Sequence, residues 1–120
     1  MQDNAFVQDI AKVLYDHKGL DIVALDVSKL TVITEYMVIV SGRTASQVKA
    51  LADDVDEKMA IAGLALRRIE GQSEGRWIVM DYGHILVQIF HQEERAFYNL
   101  ERLWDDGTNK LVLPFNQDED

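Results

Sequence analysis

Residues 75–91, GRWIVMDYGHILVQIFH, decide how this chain folds. Two runs of branched and aromatic residues flank a Tyr-Gly pair, which is the pattern of a β-hairpin. With Tyr82-Gly83 as a two-residue loop, Asp81 faces His84 across the ribbon, Met80 faces Ile85, Val79 faces Leu86, Ile78 faces Val87 and Trp77 faces Gln88. One side of the ribbon then collects Ile78, Met80, Ile85, Val87 and Ile89, with no polar group, and must be core. The other side collects Trp77, Val79, Asp81, His84, Leu86 and Gln88, apolar in the middle and polar at one end. A slip of one residue would spoil this sorting, because side chains alternate with a period of two. Tyrosine suits the first position of a type I′ turn poorly, so a bulged turn on Gly83 is the variant form. Trp77 falls on the mixed side. Either a helix of the same chain half-buries it, or a partner protein covers it.

Working outward, residues 4–19 read as an amphipathic helix with Phe6, Ile10, Val13 and Leu14 at helical spacing. Asp3 or Asn4 suits its start. His17 and Lys18 suit its negative end, and Gly19 suits the C′ position. His17 therefore reads as a helix-end residue rather than a ligand. LDIVALDV (20–27) is a strand, and EYMVIVSG (35–42) is apolar enough to be a strand covered on both faces. Thr44 and Gln47 form a capping box. They open a helix whose apolar face runs Ala45, Val48, Leu51, Ala52, Val55, Met59 and Ala62, closed by Gly63. LALRRIEG (64–71) is a third strand. QEERAFYNLERLWDDG (92–107) is one last helix with Phe97, Leu100, Leu103 and Trp104 as its stripe. The order α-β-β-α-β-β-β-α predicts an α/β (α+β) fold, a mixed five-stranded sheet with flanking helices. The helix between strands two and three allows a right-handed parallel crossover. Residues 1–107 form the single domain; 108–120 read as a flexible C-terminal tail, frayed at Asp118, Glu119 and Asp120.

Composition bounds the function. A chain of 120 residues, 48% hydrophobic, supports one core. There is no cysteine, so no disulfide scaffold or thiolate metal site is expected. The net charge of −9 repels phosphate and anionic membranes and favours encounter with a basic protein. No independent nucleic-acid binding and no membrane association are expected. The opening MQDNAFVQDI lacks a basic signal-peptide region, which makes cytoplasmic the expected location.

Catalytic constellations are hard to find. SGRTAS (41–46) follows a strand and opens a helix but lacks the P-loop lysine. A mixed sheet of this kind hints at nucleotidyltransferase architecture, whose chemistry needs carboxylates converging on a metal. Asp54 and Asp56 lie two apart on a helix and diverge by about 200°. Asp53 and Glu57 share that solvated face, and Asp21 and Asp26 point to opposite faces of a strand. His17, His84 and His91 show no metal spacing. No catalytic residue, metal or cofactor is expected.

EYMVIVSGRTASQVKALADDVDEKM, EGRWIVMDYGHILVQIFH and RAFYNLERLW together resemble the ribosomal silencing factor, or Iojap-like, family from about residue 6 to 106. The spaced set Trp77, Asp81-Tyr82-Gly83, Phe90, Arg95, Tyr98, Leu100-Glu101 and Leu103-Trp104 carries the resemblance. It implies a translational repressor, not an enzyme. Such a protein binds the large ribosomal subunit through ribosomal protein L-fourteen and sterically blocks association with the small subunit. It implies a nucleotidyltransferase-like fold without catalytic acids, and homodimers. It carries over Trp77, Asp81 and Tyr82 as partner-binding residues, and the facial sorting adds Val79 and Leu86. The family commonly has an acid where this chain has His84 and a histidine where it has Gln88. The competing readings are a divergent nucleotidyltransferase-like enzyme and an adaptor for another protein assembly.

Overall fold

The computed structural model describes residues 3–117. Helix α1 (Asp3–Asp16) leads into strands β1 (Leu20–Asp26) and β2 (Tyr36–Gly42). Helix α2 (Ala45–Ala62) then crosses to β3 (Arg68–Glu70), β4 (Trp77–Asp81) and β5 (Ile85–His91), followed by α3 (Gln92–Tyr98) and α4 (Glu101–Trp104). The sheet runs β1-β2-β5-β4-β3. Only β2 and β5 are parallel neighbours; the other three pairings are antiparallel. The strand that follows α2 is thus not the neighbour of β2. The hairpin β4-β5 fills the space between them.

The capping box forms, with one change. Thr44 Oγ1 accepts from the Gln47 backbone N–H at 3.0 Å, while Gln47 Oε1 reaches past Thr44 to the Arg43 N–H at 2.6 Å. Gly63 closes α2 in the left-handed conformation. At the end of α1 the left-handed residue is Lys18, not Gly19. The Gly19 N–H donates to the Leu14 carbonyl and the Lys18 N–H to the Tyr15 carbonyl, which is a Schellman ending with Lys18 at C′. Gly19 is needed for closeness instead, since a Cβ there would press on Val40 and the Leu14 carbonyl. The side chain of Asp3, one of the two expected caps, lies outside the described residues. Asn4, the other, sits inside the helix.

The hairpin pairs two residues away from the expected register: Trp77 faces Phe90, Ile78 faces Ile89, Val79 faces Gln88, Met80 faces Val87 and Asp81 faces Leu86. The loop is Gly83-His84, so the positive φ of 91° falls on glycine and Tyr82 keeps a strand-like place, its N–H donating to the Ile85 carbonyl at 2.9 Å. Asp81 Oδ1 holds the Gly83 N–H at 2.7 Å. A shift of two leaves every side chain on its expected face.

Those faces differ. Ile78, Met80, Ile85, Val87 and Ile89 join Ile22, Ala24, Val38 and Val40 beneath α1 and α2 in the larger core cluster. The reverse face holds a smaller cluster of Leu25, Val27, Met37, Ile39 and Phe90, padded by Leu100 and Trp104.

Two expectations are corrected. The single helix over 92–107 breaks at Asn99, which takes a left-handed φ of 47° that asparagine tolerates. Residues 108–117 do not hang free. The Asp26 N–H donates to the Asn109 carbonyl and the Leu111 N–H to the Ala24 carbonyl, so this segment runs along the outer edge of β1. Gln117 completes it, its side-chain amide bonding both N–H and C=O of Ile22 at 2.6 and 2.9 Å, and Phe115 stacks on Tyr15 at 4.2 Å. An edge strand is thereby occupied by the chain's own end. Asp118, Glu119 and Asp120, expected to fray, lie outside the described residues.

Candidate partner-binding face

The reverse face of the sheet is padded over β1 and β2 but open toward β4 and β3. Trp77, Val79, Asp81 and Leu86 all lie on it, each partly buried. Alternation places them there: Trp77, Val79 and Asp81 are odd positions of β4, and Leu86 faces Asp81 across the hairpin. Tyr82 is different. It is 4% exposed and belongs to the helix-side cluster, so its ring lies behind the sheet from the other four. Its hydroxyl has no hydrogen-bond partner among the described residues, and burial pushes its pKa up.

Trp77 is neither free nor sealed. Its ring stacks on Phe90 at 4.8 Å and meets Tyr98 at 5.3 Å. Its Nε1–H donates to Gln88 Oε1 at 3.0 Å, and the Gln88 amide lies 3.3 Å from Met37 Sδ. Of the two covers considered for the indole, its own fold supplies one in part, and the rest of the ring faces solvent. The turn Gly71–Gly75 sets this position. Gly71 has a φ of 88°, and a Cβ there would overlap the Trp77 carbonyl oxygen.

Around the indole, Arg95 is buried and acts as a clamp. Its Nε donates to Glu101 Oε1 at 2.7 Å, and its guanidinium also reaches Ser41 Oγ at 3.0 Å and the Leu20 carbonyl at 3.4 Å. This ties α3 and α4 to the ends of β1 and β2. Arg76 pairs with Glu94 at 2.6 Å, and that bond pushes its pKa up. At the hairpin tip, His84 Nδ1 lies 3.6 Å from Glu35. Asp81, the expected rim charge, is engaged by its own turn as well as facing outward.

The α2 acids lie on the opposite side of the sheet. Asp54 pairs with His17 at 3.0 Å, while Asp53, Asp56 and Glu57 are exposed. Among the described residues no three His, Asp or Glu side chains come together as a metal site. No helix among them is long and apolar enough to cross a membrane.

The family model for the ribosomal silencing factor during starvation matches residues 1–120. The chain belongs to this family. It is 33% identical over 107 residues to the ribosomal silencing factor RsfS of Bacillus subtilis, covering 89% of this chain and 91% of that protein. It is 30% identical over 115 residues to the chloroplastic protein Iojap of Zea mays, covering 93% of this chain and 48% of that longer protein. A crystal structure of a Chromobacterium violaceum protein superposes with a TM-score of 0.85 at 33% identity, covering 98% of this chain and 96% of that one. The mixed five-stranded sheet with flanking helices is the family's fold. The family's names are those of a regulator acting on the ribosome rather than of an enzyme.

Sequence reasoning missed one part of this surface. Phe97 and Leu103, expected to be buried in a helix stripe, are 79% and 71% exposed. The break at Asn99 turns Leu100 and Trp104 onto the sheet and leaves the other two outside. The signal for it was a single asparagine inside a helical pattern.

Proposed function

We propose that this chain is a cytoplasmic translational repressor that docks its open sheet face on the large ribosomal subunit, through ribosomal protein L-fourteen. The bulk of the domain then blocks the small subunit. No bond is made or broken; inhibition is occupancy. The observation that carries the reading is Trp77, an indole that stacks on Phe90, leans on Tyr98 and stays partly exposed on a half-padded sheet face. Family membership and a charge of −9 support it, since an acidic surface meets a basic ribosomal protein readily and discourages promiscuous RNA contact.

Trp77, Val79, Asp81 and Leu86 form the contact. Tyr82 serves from behind, packing the hairpin tip against the helix-side core. Homodimers, which the resemblance implies, belong to the same proposal. The test is co-sedimentation with purified large subunits. Wild type travels with them and Trp77→Ala loses on the order of 2 kcal/mol of affinity or more. Equal retention of both proteins would move the contact elsewhere.

A further inference from the structure

The C-terminal segment fastens both faces of the sheet at once. On the helix side Leu111, Leu113 and Phe115 pack against the larger core cluster, while Lys110, Val112 and Pro114 are exposed. The Gln8 side chain donates to the Val112 carbonyl at 3.1 Å, which holds the segment against α1. On the reverse side lies α4, a helix of four residues, none of them buried. Its first residue, Glu101, is held by Arg95; its last, Trp104, is held by Asn109.

Asn109 is the joint. Its side-chain amide donates to the Trp104 carbonyl at 2.8 Å and to the Asp26 carbonyl at 2.9 Å. Its Oδ1 accepts from the Asp106 N–H at 3.0 Å, and its own carbonyl accepts from the Asp26 N–H at 2.9 Å. One residue thus ties the end of α4, the end of β1 and the start of the segment. Trp104 in turn pads the cluster that contains Phe90, on which Trp77 stacks.

The hold on β1 is of a kind that can let go. Among the described residues the segment forms one backbone bridge with the strand, Leu25 opposite Lys110. Where a continuing antiparallel strand would bring Leu113 to Ile22, the Gln117 side-chain amide takes both backbone bonds of Ile22 instead. A segment held by one bridge, a side-chain amide and a ring stack opens at less cost than the sheet beneath it.

We infer that residues 109–117 are a latch that docks and releases as a unit, and that its release, through Asn109, frees α4 and loosens the padding behind Trp77. The docked latch keeps Trp104 seated and is the state competent to bind. The chain's own end thereby controls docking, a consequence that rests on the proposed docking function.

The experiment compares full-length wild type with Gln117→Ala, Phe115→Ala, Asn109→Ala and Val112→Ser, the last on a side chain 89% exposed. Amide hydrogen exchange is followed residue by residue, and each protein is titrated onto purified large subunits. The reporter for α4 is the Asp105 N–H, which donates to the Glu101 carbonyl at 2.8 Å. Gln117→Ala and Phe115→Ala speed exchange at Ile22, Asp26, Leu111 and Asp105 by a common factor of about ten. Val23 and Leu25, whose N–H groups alternation aims at β2, keep their wild-type rates. Asn109→Ala parts the two halves: Asp105 exchanges fast while Ile22 stays protected. Val112→Ser matches wild type throughout. Phe115→Ala, substituted on the far side of the sheet from Trp77, binds large subunits about threefold more weakly. Faster exchange at Ile22 alone, with Asp105 at its wild-type rate, means separate contacts and no latch. A protected Asp105 in Asn109→Ala overturns the joint. If wild type binds and Phe115→Ala binds equally, docking stands and the latch's control of it is overturned. If wild type does not bind, the docking reading falls and the control falls with it.

Discussion

Beneath α1 and α2 the sheet presents Ile22, Ala24, Val38, Val40, Ile78, Met80, Ile85, Val87 and Ile89, each 2% exposed or less; on its reverse only Leu25, Met37, Ile39 and Phe90 reach that level among the strand hydrophobics. The same strands build both faces, and neighbouring residues serve opposite ends. Met80 closes a core while Val79 and Asp81 remain within reach of a partner. Truncation on the helix side should therefore cost stability. Truncation or charge change on the open side should cost binding.

The largest effect belongs to the helix side. Leu51→Ala removes a fully buried α2 side chain and should cost about 2–5 kcal/mol in urea unfolding, with the folded fraction binding large subunits normally. A weak stability effect with lost binding would reverse the roles of the two faces. On the open side, Asp81→Lys should weaken binding about tenfold and flatten its salt dependence, by reversing a rim charge. Asp81→Asn separates charge from turn, because its amide oxygen can still accept from Gly83. It should keep wild-type stability and lose part of the salt dependence.

Tyr82→Phe sharpens the assignment of that residue to the closed side. Removing a buried hydroxyl without a partner should stabilise by about 1 kcal/mol. Burial raises the folded pKa above the ordinary 10, so the phenol's contribution is fully present below pH 10 and is lost as pH rises through the folded value. Urea unfolding of wild type should weaken across that window more than that of Tyr82→Phe, whose subunit binding is unchanged. The smallest effect is Asp54→Ala. It breaks only a partly exposed pair with His17 and should move stability by no more than about 0.5 kcal/mol and binding not at all.

Much of this contrast was legible in the sequence because alternation is insensitive to a register error of two. The hairpin was expected to pair Trp77 with Gln88 and pairs it with Phe90, yet each face keeps its residues. Tyr82, read as a loop residue, was given no face, and the family resemblance carried it to the contact set; in the shifted register it joins the helix-side cluster with Ile78 and Met80. What escaped were features held by single residues or distant partners. Asn99 breaks a pattern that otherwise reads as one helix. Leu111, Leu113 and Phe115 alternate as a strand does, but a proline and an acidic end made them read as a tail. The segment's partners lie far earlier in the chain, beyond any local pattern: Leu111 bonds Ala24, Phe115 stacks on Tyr15 and Gln117 bonds Ile22.

The most direct measurement is light scattering of purified large and small subunits re-associating after a magnesium jump, with this protein present at rising stoichiometry. Wild type should suppress re-association in proportion to the large subunits it occupies, saturating near one bound domain per subunit, while Trp77→Ala suppresses it only at much higher concentration. Full re-association with large subunits saturated by wild type, or equal suppression by Trp77→Ala, would contradict occupancy through the open sheet face.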